Sequence, residues 1–262
     1  MIHLRMRDSG GEESTLDTLF FTLMGIGMIS SFVGTLAGGA GLITLPAMML
    51  VGVPIHIGIA TNKFSSGIAA LTSVSYLLKN KYLDGKTICI NVSVALLGGV
   101  CGALITASMS EKSMNVIALI LLVFALMVTL RSKKWVSSVE GSSNNTSIAS
   151  RIIPFFIAAY DGGFGPGSST FGIIHYISQN QTYMKAVHLT RALILGSCLG
   201  AFVVFYQTGF VQWHNAIAMA IGSAIGSQFG LLALPRIPVR YAKSLLITII
   251  FLLIGQVLYK FI

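Results

Sequence analysis

Apolar residues fill this chain in runs of helix-spanning length, separated by short polar gaps. A bilayer core of roughly 30 Å needs about 20 such residues per helix. Runs of that size lie at 17–37, 59–78, 88–108, 113–130, 186–206, 215–234 and 243–261, while 42–55 and 152–177 are apolar but broken by Gly and Pro. The gaps are brief: Lys79-Asn80-Lys81 to Lys86, Ser110-Glu111-Lys112, and Arg236 to Arg240. Arg131 to Arg151 forms a longer linker rich in Ser and Asn, which divides the chain. The pattern predicts an all-α, polytopic membrane bundle with a polar tail (1–16), a first repeat (17–130), the linker (131–151) and a second repeat (152–262). Each half would hold a glycine-broken helix or re-entrant hairpin plus three full transmembrane helices. The tail is too long and too acidic for a signal-peptide n-region, so the first helix is expected to be retained.

Composition removes the alternatives. Of 262 residues, 54% are hydrophobic and 10% charged, against about 25% charged in soluble domains. Mean hydropathy is +0.82. Disorder or a nucleic-acid module would need far more charge, so the net charge of +9 reads as loop cations rather than a polyanion footprint. Cys89, Cys101 and Cys198 sit in apolar runs without CxxC spacing, which argues against a disulfide framework or a metal knuckle.

The two halves echo one another. Gly38-Gly39-Ala40-Gly41 matches Gly162-Gly163-Phe164-Gly165 at an offset of 124, whereas Tyr82-Leu83-Asp84 against Phe210-Val211-Gln212, and Gly98 and Gly102 against Gly226 and Gly230, match at 128. The offset of 128 also sets Lys63 opposite Arg191. Duplication is common in transporters. Loop charge tests whether the repeats are inverted. With eight simple crossings the loop Lys and Arg divide ten to five; with 17–55 and 152–177 each entering and leaving on one face they divide eleven to four. The second split favours hairpins and inverted repeats, although 17–37 has the length of a full span.

Irregular backbone is tolerated in hydrocarbon only where protein or a watery cavity satisfies it. The glycine breaks, with Pro46 and Pro166 as hinges, therefore predict buried helix starts whose amides favour an anion. Ser168, Ser169 and Thr170 would add hydroxyl donors; tight helix packing is the plain alternative. For the GxxxG series at Gly98, Gly196 and Gly222, close helix contact is explanation enough. Ionisable residues inside apolar segments cost about 2.5–3.5 kcal/mol near a helix centre, and there are three: Lys63, Asp161 and Arg191. Lys63 and Arg191 would draw an anion or snorkel to the headgroups. Asp161 would be a counter-ion to one of them, or would carry a coupling proton or sodium ion. No HExxH or i,i+4 His pair points to a metal, and no G-x-x-x-x-G-K-[ST] loop points to ATP.

Through Gly34-x-x-x-Gly38-Gly39-x-Gly41-x-x-x-x-Pro46, Ala60-Thr61-Asn62, the run Gly162 to Gly167 and Thr190, the chain resembles the TauE/SafE family of membrane transporters, the sulfite exporters. The resemblance covers about 17–261 and implies transport of sulfite, sulfonates such as sulfoacetate, or other small sulfur-containing or organic anions across the cytoplasmic (inner) membrane. Lys63 and Arg191 are more basic than that pattern, and His188-Leu189-Thr190-Arg191 departs from its Ala-x-Gly-Thr type. The expectation is a multi-pass secondary transporter working by alternating access. Gly38, Gly39, Gly41, Thr61, Asn62, Lys63, Gly162, Gly163, Gly165, Ser168, Ser169, Thr190 and Arg191 would bind substrate, and Asp161 would be the coupling group. Cofactors, catalytic residues and nucleic acid are not expected. The partners are a small anion, lipids, a coupling proton or sodium ion and, as a homo-oligomer, a second copy. The competing readings are a non-transporting accessory subunit and a membrane-embedded enzyme.

Overall fold

In the computed structural model, residues 9–131 and 148–238 are described, together with 241, 244, 247, 248 and 251. The first eight tail residues, linker positions 132–147 and most of the last apolar run, 243–261, lie outside the described residues. The described chain forms α1 (Ser9–Ala37), α2 (Ala40–Leu50), α3 (Ile55–Lys79), α4 (Gly85–Ala107), α5 (Glu111–Arg131), α6 (Ile148–Gly163), α7 (Ser168–Ser178), α8 (Tyr183–Gln207) and α9 (Trp213–Ala233). Stretches in α1, α4, α8 and α9 are long and apolar enough to cross a membrane. At about 1.5 Å per residue, the 11-residue α2 and α7 reach only about half way.

Each short helix begins at a glycine that turns the chain. Gly38 and Gly39 have φ of 74° and 76°, and Gly165 and Gly167 have 102° and 79°. Side chains avoid this left-handed region, so glycine is what lets the chain reverse there. The first glycine cluster of the second half is not the equivalent of the first cluster. Gly162 and Gly163 still belong to α6, and the turn falls at Gly165 and Gly167. α2 and α7, α3 and α8, and α4 and α9 all begin 128 residues apart. Left-handed residues pair at the same spacing: Gly39 with Gly167, Gly52 with Asn180, Lys81 with Gly209. The offset of 124 is therefore corrected to 128. Abundant glycine had produced a false register. Pro46 also departs from expectation: it lies inside α2, four residues beyond Leu42, where it removes one helical hydrogen bond instead of marking the break.

Helix directions follow from the glycine contacts. Gly222 abuts Met24, Gly226 abuts Met28, and Gly230 abuts Phe32 and Thr35, so α1 and α9 are parallel. Gly98 on Phe155 and Gly102 on Ala159 make α4 parallel to α6; Gly196 on Val92 and Gly200 on Leu96 make α4 parallel to α8. In each pair the absent side chain lets backbones touch, which replaces the hydrophobic drive that lipid cannot supply. α3 is parallel to α9, with Phe64 on Trp213 and Thr72 on Ser227, and antiparallel to α8, with Phe64 on Phe202 and Gly67 on Cys198. Since α1 and α3 point the same way, α2 doubles back between them; Met48, near its end, shares a cluster with Leu23. α7 doubles back between α6 and α8 by the same logic.

Candidate functional site

The tips of the two helical hairpins meet. A Cβ on Gly38 would lie 2.9 Å from the Thr170 amide nitrogen, and one on Gly41 3.0 Å from Pro166 Cα. Any side chain at either glycine would push the tips apart. The N-termini of α2 and α7 thus converge on one buried region, with Leu42 N–H donating to the Gly39 carbonyl and Ser168 N–H to the Gly165 carbonyl. Tyr160 fastens the second turn by donating to the Pro166 carbonyl at 2.6 Å.

Beside that junction Lys63 and Asp161, 1% and 3% exposed, form an ion pair at 3.3 Å. Asp161 Oδ1 also accepts from Ser168 Oγ at 2.5 Å, and Oδ2 accepts from Ser197 Oγ and from Cys198 Sγ at 3.8 Å. Four donors on one carboxylate make a closed network linking α3, α6, α7 and α8. Gly165 leaves room for the ammonium: a Cβ there would stand 2.5 Å from Lys63 Nζ.

Arg191 differs. It is 7% exposed, and among the described residues it has no carboxylate partner and no hydrogen bond. In the 128 register Arg191 answers Lys63 while Val33 answers Asp161, so the position that would supply a matching acid for Arg191 is held by an apolar residue. Val33 shares an apolar cluster with Leu189 and Ala192, which flank Arg191 in α8. Near the start of α8, Tyr183 donates to the Leu36 carbonyl in the last turn of α1.

Among the other expected site residues, Gly38, Gly39, Gly41, Gly165, Pro166 and Ser169 lie at the meeting tips. Gly162 and Gly163 serve helix contact instead, against Gly99, Gly102 and Thr106 of α4. Thr61 Oγ1 is buried and unbonded among the described residues, as is Thr170 Oγ1. Asn62 accepts from Ser66 at 3.3 Å, and the Thr190 hydroxyl is spent on the Ala186 carbonyl at 2.7 Å. Ser197 and Cys198 were not anticipated. They lie within an unbroken apolar helix, and only the approach of α6 gives them a role.

The family model for Sulfite exporter TauE/SafE matches residues 23–257. A Sinorhizobium sp protein named Probable membrane transporter protein ORF9 is 32% identical, over 77% of this chain and 78% of its own. Probable membrane transporter protein YfcA of Escherichia coli K12 is 26% identical over 82% and 79%. A Probable membrane transporter protein of Haemophilus influenzae is 25% identical over 81% and 84%. No solved structure matches.

Proposed function

The chain belongs to the sulfite exporter TauE/SafE family of multi-pass membrane transporters, and from that premise we propose that it carries a small anion through the junction of the two hairpins. Sulfite, a sulfonate or another organic sulfur-containing anion is the expected cargo. The observation that carries this reading is Arg191, a buried guanidinium with neither carboxylate nor hydrogen bond among the described residues. A buried charge is retained at a cost of several kcal/mol unless something compensates it. A planar guanidinium is suited to a planar or tetrahedral oxyanion. Thr170 Oγ1 and Thr61 Oγ1, buried and unbonded among the described residues, are the remaining hydroxyl donors, and the positive ends of α2 and α7 add to the field.

In this reading the halves 17–130 and 152–262 are inverted duplicates joined by 131–151, and they rock about the touching tips to open the site to alternate faces of the cytoplasmic membrane. Pro166 acts at the hinge. Lys63 serves mainly as the partner of Asp161, and no enzymatic step or ATP takes part. Flux in proteoliposomes tests the reading. Arg191→Gln should lower uptake of hydrogensulfite and of the monosulfonate isethionate by about tenfold or more, the order expected for a lost charge-assisted bond, while the protein still elutes as a folded species. Uptake equal to wild type would overturn it.

A further inference from the structure

We propose that the site carries one net positive charge and accordingly selects a monoanion, such as a monosulfonate, a monocarboxylate or hydrogensulfite, with Asp161 setting that charge. The inference rests on the transport reading above. Three charged side chains are buried among the described residues: Lys63, Asp161 and Arg191. Oδ1 of Asp161 accepts from Lys63 and Ser168, and Oδ2 from Ser197 and Cys198. Acceptance at both oxygens is the behaviour of an ionised carboxylate, so Lys63 is neutralised in place. His56 stacks on Phe210 and His188 packs against Tyr82, and an imidazole in either protonation state supplies no negative charge to pair with a cation.

Among the buried described residues, Arg191 is then the one charge without a counter-charge. Helix-start amides contribute only partial positive character. A monoanion closes the balance. A dianion leaves one negative charge unpaired in a poorly polarisable interior, where that charge is penalised far more than in water. The asymmetry between the halves is what creates this condition: Val33 stands in the register of Asp161, and the second cation keeps its charge for the solute.

Matched ligand pairs test the idea on the full-length protein in nanodiscs at fixed ionic strength. Methanesulfonate is compared with methanedisulfonate, isethionate with sulfoacetate, and acetate with malonate, by thermal shift and calorimetry. The monoanion of a bound pair should bind about tenfold tighter or more than its dianion, a conservative figure for one unpaired buried charge. Val33→Asp, which supplies the missing acid, should abolish that binding, whereas Val33→Asn should retain it. Asp161→Asn, which frees Lys63, should raise dianion affinity; if that variant does not fold, the Val33 pair decides. Tighter dianion binding by the wild type, lost in Arg191→Gln, would sink the charge assignment while leaving the anion site standing. Full monoanion binding by Val33→Asp would also refute it. Failure of every anion to bind the wild type would overturn both readings.

Discussion

Removing either partner of the Lys63–Asp161 pair should destabilise the protein far more than removing both. At an effective dielectric of about 20, unit charges 3.3 Å apart attract by roughly 5 kcal/mol. That attraction is largely offset by the desolvation of two ions, so the pair contributes little net stability. A single replacement leaves the offset without the attraction. Lys63→Met strands a carboxylate that accepts from Ser168, Ser197 and Cys198; Asp161→Leu strands an ammonium buried against Gly165. Each should cost about 3–5 kcal/mol. With about 2–4 °C per kcal/mol for a chain of this size, the midpoint should fall by roughly 6–20 °C. The double variant should return to within a few degrees of wild type. The assay is a thermal scan of detergent-solubilised protein at one fixed rate, because unfolding of such proteins is commonly irreversible. Additive losses in the double variant would show that the two groups do not interact and would refute the argument.

Other outcomes follow from the same contacts. Gly98→Ala puts a Cβ 2.5 Å from the Phe155 carbonyl oxygen, and should destabilise by about 1–3 kcal/mol as an overpacked helix contact. Gly25→Ala meets nothing within 4 Å and should be neutral or stabilising by up to about 1 kcal/mol, the gain expected inside a helix; equal midpoints for the two variants would contradict the packing. Gly167→Ala, at φ 79°, should cost about 1–2 kcal/mol through backbone strain and slow transport, and wild-type behaviour on both measures would contradict the turn. In a cysteine-free background, Asp17→Cys and Val51→Cys should be labelled from one membrane face and Asn80→Cys and Ser178→Cys from the other; labelling of positions 17 and 51 from opposite faces would rule out the first hairpin. Hydrogen bonds from Thr87 hold the exposed Asp84 carboxyl below its ordinary 3.8. A depressed carboxyl stabilises the fold above its unfolded pKa and loses that contribution as pH falls through and below that value, so Asp84→Ala should slightly flatten the acid limb of a melting curve against pH.

The long helices and the breaks between them were readable because run length and glycine content answer directly to bilayer thickness and backbone sterics. Lys63 and Arg191 stood out because an ungapped alignment of the halves puts cation on cation. The loop charges leaned towards α2 and α7 doubling back by only a small margin, and the direction of each helix is a tertiary property that loop charge does not carry. Which cation Asp161 joins could not be read, since both were candidates and the choice depends on how α6 approaches α3 and α8. The turn in the second half was misplaced by four residues for the opposite reason. So many glycines invite alignment by identity, whereas within the run Gly162 to Gly167 only Gly165 and Gly167 carry the left-handed backbone. Pro46 misled because proline usually ends a helix, and here α2 accommodates it.

The crossing-over of α1 onto α9 and of α6 onto α4 has a price during synthesis. The glycine face of α9 that receives Met24 and Met28 is made nearly 200 residues after them, so the first helix inserts into lipid long before its partner exists. Native contacts this remote in sequence slow assembly and leave intermediates open to misassociation. Neither half can complete its interior alone. A gene cut between positions 132 and 147 should yield two pieces that are degraded when made separately and recover a functional protein only when made together.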